Sequence, residues 1–440
     1  LDDEGEAMDY QTIKKLKKER GCSYEDLIVL SAQNDPFYVG MGRQVRLAEW
    51  FADLWNKLGY AGTGGAAHIR RIHYRAISQN IKVLKPDGSP YENTENDWHA
   101  LADASKYARY LGLVDYYLIE DKKNPEAIIN HKLLENSPSV WVDESSSLYL
   151  SFPEFPPAPS YTLYDYEADQ KYHVEVWCEK STMNDIITPL CQKYGVNYVY
   201  GTGELSLTAV YQLLKRMEAT KKPCRILYVS DFDPAGMSMP VAVSRKLEFL
   251  LSKHDMAFDV RLFPVVLTFD QCGHYQLPRT PIKPTEGRAT DWQNRFGDGA
   301  TELDALQAIH PGELGKILEK AIRHYWDRTL DKRTKEVADK ILDYLGKIQE
   351  EVTGPHKDEL QKLQDEYDTV KAEFKDRISA LSEDVENLYQ VIESELTAKK
   401  PQLDPVPMAV EVKDDIAEPL FDSRRSYDEQ LQVYKAFQRK

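Results

Sequence analysis

The stretch from 173 to 266 constrains this chain most. Short apolar runs alternate there with longer amphipathic ones: VEVWC, TMNDIITPLCQKY, VNYVY, LTAVYQLLKRM, RILYVS, GMSMPVAVSRKLEFLLSK and DVRLFPVVL. Brief β-branched and aromatic runs without polar alternation predict strands buried on both faces, and the runs between them carry apolar residues at helical spacing. Strand–helix alternation at these lengths predicts a parallel sheet covered by helices. Pro189 predicts a kink in the first of these helices, and Pro240 limits where the third begins.

A parallel sheet of this kind binds ligands beyond the carboxyl ends of its strands, and acids stand there. The first strand runs into Cys178-Glu179-Lys180 and the third into Ser230-Asp231-Phe232-Asp233-Pro234-Ala235-Gly236. Side chains two apart on extended backbone face the same way, so Asp231 and Asp233 can enter one crevice with Glu179. Three carboxylates in a crevice raise one another's pKa unless a cation neutralises them. An all-oxygen set selects a hard ion, Mg²⁺ or Mn²⁺, which can polarise a phosphodiester and stabilise its leaving oxygen. The plainer alternative is that Asp231 and Asp233 only cap the following helix. Asp298, Glu302 and Asp304 read first as a turn and an acidic helix start, with Glu302 or Asp304 a lesser candidate for an extra ligand.

Upstream, QVRLAEWFADLWNKL has a helical apolar face from Gln44 to Leu58 and is broken by Gly59, Gly62, Gly64 and Gly65. A second helix follows from Ala66 and a third from Asp97 to Leu111, with the turn-rich KVLKPDGSPYENT between them suited to a hairpin wing. Helices around a glycine-rich turn, with a wing, read as a winged helix-turn-helix over 37–150, after an N-terminal arm over 1–36. The proline-dense SFPEFPPAPS opens an expected linker over 151–172, and the metal-binding α/β domain is expected over 173–310. Over 311–398 the pattern predicts two long helices. Leu360, Leu363, Tyr367, Val370, Phe374, Ile378, Leu381, Val385, Leu388 and Ile392 step by three and four along a coiled-coil-like seam, and Gly354-Pro355 predicts the break of a helical hairpin. That hairpin reads as a packing or dimerising arm without chemistry, and the tail over 399–440 as irregular.

Composition bounds the function. The net charge of −16 gives nucleic-acid binding no support in itself, although half of the excess falls in 327–398, where 19 acids face 11 bases. The five cysteines lie far apart with no C-x-x-C pair, which argues against zinc and disulfides and for a reducing cytoplasm. No apolar run reaches membrane-spanning length, and the N-terminus does not read as a secretory signal. A P-loop is absent, so any ATP-driven cycle needs a separate ATPase subunit.

The segments E-K-S-T-M-N, G-T-G-E-L-S-L-T and Y-V-S-D-F-D-P-A-G resemble the TOPRIM domain of the A subunit of type IIB topoisomerase (topoisomerase VI), shared with its meiotic double-strand-break relative. The resemblance is clear over Val174 to Leu250 and looser upstream. It implies that Glu179, Asp231 and Asp233 bind magnesium, and that Gly201 and Gly203 lie in the family's glycine-rich, DNA-facing loop. It also implies dimers. In that family a winged-helix tyrosine attacks DNA within an arginine-containing motif; H-I-R-R-I-H-Y-R-A-I-S resembles it, with Tyr74 at the matching position. Arg70, Arg71 or Arg75 would then hold phosphate, and His73 would carry a proton. Arg71 stands where the family usually has an acid. Alternatively, Tyr74 packs a core. The expectation is therefore a Mg²⁺-dependent DNA endonuclease, of a kind often found in bacterial and archaeal defence or plasmid control. A Tyr74 transesterase working with an ATPase subunit is the first alternative, and a non-enzymatic DNA-binding or scaffold protein with a degenerate TOPRIM fold the second.

Overall fold

The computed structural model describes residues 8–61, 67–120, 126–132, 137–143, 154–201, 203, 205–254, 258–282, 286–373 and 378–439. In chain order, α1 (Tyr10–Arg20) and α2 (Gly42–Lys57) precede β1 (Ala67–His68), α3 (Ile69–Ile77), α4 (Glu95–Tyr110) and β2 (Ile119–Glu120). Then come β3 (Ser139–Val142), β4 (Tyr161–Tyr164), β5 (His173–Cys178), α5 (Asn184–Tyr194), β6 (Asn197–Tyr200), α6 (Leu207–Thr220), β7 (Cys224–Val229), α7 (Pro234–Lys253) and β8 (Val260–Val266). The short α8 (Phe269–His274), α9 (Ala289–Phe296) and α10 (Leu303–Ile309) lead to α11 (Glu313–His324), α12 (Leu330–Thr353), α13 (Lys357–Glu373), α14 (Ile378–Ala398), β9 (Phe421–Asp422) and α15 (Tyr427–Arg439).

The chain is mixed α/β. Its five-stranded sheet has the order β6-β5-β7-β8-β9, parallel throughout except for β9, which runs antiparallel to β8 at the edge. The alternation read from 173 to 266 is thus present with its strands within a residue or two of their expected places. Side-chain alternation divides the core. Val174, Val176 and Cys178 of β5, with Leu227 and Val229 of β7, pack towards α5 and α11, whereas Trp177, Ile226 and Tyr228 join a cluster with α6, α7, α2 and α4. Each such fully buried large apolar side chain contributes about 1.5–3 kcal/mol. Pro189 and Pro240 both lie inside helices, α5 and α7.

The domain division differs from that expected. One compact unit comprises 1–132, 172–326 and 412–440; a second comprises 133–171 and 327–411. The helices before residue 120 therefore share a unit, and a continuous core, with the sheet. Asp35 ties them together: it is fully buried, accepts backbone N–H groups from Val29, Leu30 and Phe37, and receives both Nε and Nη2 of Arg245, itself fully buried on α7. Two expected irregular stretches are structured. Within 154–172, β4 pairs with β3, and the Tyr389 hydroxyl donates to the Pro156 carbonyl, so Pro156, one of the prolines that signal a linker, lies against α14 instead. Within 399–440, β9 adds to the sheet, and Tyr434 of α15 is fully buried.

In the second unit, α12, α13 and α14 do not reverse at Gly354-Pro355 as expected. Gly354 and Lys357 both have right-handed helical backbone (φ −53°, ψ −48° and φ −58°, ψ −45°), so α12 leads through one tight turn into α13 rather than reversing. Pro355 sits in the first turn, where its missing N–H is no loss. α14 packs against both α12 and α13. The expected seam is buried at Tyr367, Val370, Ile378, Leu381, Val385, Leu388 and Ile392; Phe374 lies outside the described residues.

Candidate metal centre

Parallel pairing of β5 with β7 aligns Cys178 with Val229, so the chain beyond each strand emerges at the same edge. Glu179 and Asp231 meet there: Glu179 Oε1 accepts the Asp231 backbone N–H at 2.9 Å. Glu179 is only 5% exposed, and its Oε2 is buried without a hydrogen-bond partner among the described residues. Burial, aided by the charges of Asp231 and Asp233, pushes its carboxyl up to about 8. The Asp231 carboxyl is likewise raised, by burial, against the opposing pull of Lys180. The glycine loop passes over the same point. Gly201 N–H donates to the Cys178 carbonyl and Gly203 N–H to the Glu179 carbonyl, and Gly203 takes a φ of +99° that favours glycine.

Asp231 and Asp233 differ in their work. Asp233 is the N-cap of α7, its Oδ1 accepting the Gly236 N–H. The capping alternative is therefore realised for Asp233. Asp231 makes no such cap: Oδ1 accepts the Leu303 N–H at 2.7 Å, and Oδ2 meets the Lys180 ammonium at 2.8 Å. The backbone bridge between Phe232 and Thr301 places the following segment here. Glu302 Oε2 and Asp304 Oδ2 also contact Lys180 Nζ, at 2.9 and 3.1 Å. With Lys180 on Asp231 and Asp233 on its cap, no three His, Cys, Asp or Glu side chains among the described residues close on one point as they stand. The donor set nevertheless fits a hard divalent ion: its ligands are all oxygens, and the buried, unpartnered Glu179 Oε2 is the kind of atom a cation satisfies.

Gly236 fixes this geometry. A Cβ at Gly236 would lie 2.2 Å from the Asp231 carbonyl oxygen and 3.2 Å from Asp233 Oδ1. Gly236→Ala should therefore displace the D-x-D turn and destabilise the fold by about 1–3 kcal/mol. Denaturant titration checks this, and an unchanged midpoint would refute the close approach.

Arg70, Arg71, Tyr74 and Arg75 of α3 are all exposed, whereas Ile72, His73 and Ala76 are buried. Tyr74, at 59% exposure, is not the core aromatic of the alternative reading. The Arg75 guanidinium lies 4.8 Å from the Tyr60 ring centroid. His73, considered as a proton carrier, is buried, with Nδ1 facing the Tyr91 hydroxyl at 2.6 Å and Nε2 facing Asn93 Oδ1 at 3.1 Å, so both ring nitrogens help to hold α3. Between α3 and α4, an antiparallel bridge joins Leu84 to Pro90, and Tyr91 N–H donates to the Val83 carbonyl, giving a hairpin where the wing was expected.

Sequence reasoning passed over two sets of residues. Lys180 has no partner that local sequence reveals, although a lysine directly after a strand-end glutamate is a signal. The other set is internal to β5. Glu175, fully buried, accepts from His173 Nε2, Trp177 Nε1, Asn197 Nδ2 and both Nε and Nη2 of Arg216. Burial alone would raise its carboxyl, but the Arg216 charge and hydrogen bonds hold it well below the ordinary range. The signal was an acid inside an otherwise apolar buried strand, which demands partners. No protein-family model matches this chain, and no curated protein matches it.

Proposed function

We propose that this chain is a Mg²⁺- or Mn²⁺-dependent DNA-cleaving protein, a winged-helix and TOPRIM-type module in which Glu179, Asp231 and Asp233 hold the ion. The observation that carries the reading is the Glu179 carboxylate: buried beside two aspartates, short of a partner on Oε2, and strongly disfavoured as an anion unless a cation joins it. When bound, the ion supplies Lewis-acid polarisation of a phosphodiester and a stabilised leaving oxygen. The chain's own residues do the rest. Gly201 and Gly203 donate backbone N–H groups to the Cys178 and Glu179 carbonyls, holding the loop at the end of β5, and the exposed Arg70, Arg71 and Arg75 offer guanidinium forks to backbone phosphates. Water is the nucleophile in this reading, and its attack on phosphorus breaks one P–O ester bond.

The exposure of Tyr74 among those arginines favours a second reading, in which its hydroxyl gives up its proton to solvent, its oxygen attacks phosphorus and stays bonded to it, and the deoxyribose oxygen whose P–O bond breaks leaves with a proton from solvent. This form would draw on a separate ATPase subunit and a dimer. A single assay separates the two. Purified protein is incubated with supercoiled plasmid and Mg²⁺ or Mn²⁺, then denatured. Free nicked or linear DNA, unchanged in Tyr74→Phe, supports hydrolysis; a protein-linked product lost in Tyr74→Phe supports transesterification. Intact plasmid under every metal condition contradicts both and leaves a DNA-binding scaffold.

A further inference from the structure

The metal reading leaves Lys180 without a part, yet its ammonium touches three carboxylates, Asp231, Glu302 and Asp304, at 2.8–3.1 Å with the side chain only 22% exposed. This contact is built in from both sides. Lys180 is delivered by the end of β5 directly after Glu179, and the Phe232–Thr301 bridge with the Leu303 N–H bond to Asp231 fixes Glu302 and Asp304 opposite it. Two of its partners, Glu302 and Asp304, are half-exposed, whereas the Asp231 side chain is 10% exposed. The ammonium therefore spans from the buried acid to a solvent-facing pair.

We propose that Lys180 is a tethered counter-cation that holds Asp231 until a divalent ion arrives, so that ion entry requires the ammonium to leave Asp231 and remain on Glu302 and Asp304. The inference rests on the metal reading above. Its physical basis is competition for one oxygen. An ammonium and a divalent ion repel each other at contact distance and cannot both bind Asp231 Oδ2. The fraction of protein with Lys180 withdrawn then scales the apparent metal affinity. A monovalent ion brings no more charge than the ammonium it would replace, whereas a divalent ion does, so the lysine also selects for doubly charged ions. In metal-free protein it shields Asp231, Glu302 and Asp304 from one another.

Mn²⁺ titration of the full chain by calorimetry tests this, with a metal-free thermal melt as a second reading. Lys180→Met should bind Mn²⁺ about 10-fold more tightly than the original chain, melt lower without metal, and recover more on adding Mn²⁺. Lys180→Arg, which keeps the charge, should bind as the original does. Should Lys180→Met fail to fold, Lys180→Gln keeps a donor for Asp231 without charge and gives the same comparison. Equal or weaker Mn²⁺ affinity in the uncharged variants overturns the role of the lysine while the metal centre stands. An absence of Mn²⁺ binding in every variant overturns the metal reading and this proposal together.

Discussion

Glu179→Gln should reduce metal-dependent cleavage by about 10³-fold, the equivalent of about 4 kcal/mol of lost ion-mediated stabilisation, while making the metal-free fold more stable at alkaline pH. The two effects have opposite signs because one carboxylate serves both. Its folded-state pKa is raised to about 8 from an ordinary 4.5. The folded protein thus binds a proton that the unfolded chain has released between those values, and stability falls as pH rises through that window, by up to about 1.4 kcal/mol per pH unit. Below the ordinary value the penalty is absent; above about 8 it is complete. Chemical denaturation at pH 6 and 8.5 without metal should show the original chain losing stability and Glu179→Gln staying level. Parallel curves would mean that Glu179 carries no such penalty. The same proton must leave before a cation can bind, so metal affinity should rise with pH over the same interval.

The second large effect is structural. Asp35→Ala should destabilise the fold by about 3–5 kcal/mol. It strands the guanidinium of Arg245, a side chain with no exposure, and removes the acceptor of three backbone N–H groups. Glu248, at 2.8 Å from Arg245 Nη1, offsets only part of the loss, because burial already drives its own carboxyl up to about 7. Urea unfolding gives the value directly, and a loss below about 1 kcal/mol, the range of an exposed pair, would show that the network matters little.

How much of this was legible in sequence follows from the range of the interactions concerned. Strands β5 to β8 were legible because burial on both faces makes each one mostly apolar, interrupted only by single polar residues such as Glu175, Arg225 and Arg261. The convergence of Glu179 with Asp231 was legible because parallel pairing puts consecutive strand ends at one edge. What pattern alone could not give was long-range pairing. The contacts of Lys180 to Glu302 and Asp304 join residues 122 and 124 apart, and Arg245 reaches Asp35 across 210. The proline-rich segment misled because local chemistry describes an extended chain whether it spans solvent or, as here, lies against α14. Gly354-Pro355 misled similarly, since both residues are permitted in the first turn of a helix. The interleaved units, each assembled from separated segments, leave no local mark at all.

Whether Glu179, Asp231 and Asp233 share a divalent ion is decided most directly by crystals soaked in Mn²⁺ and measured at a wavelength where manganese scatters anomalously. The proposal expects an anomalous peak at about 2.1–2.2 Å from Glu179 Oε2 and an Asp231 oxygen, with Lys180 Nζ withdrawn from Asp231. No peak at that sheet edge, with the ammonium still seated on Asp231 and Glu179 still unpartnered, would contradict it.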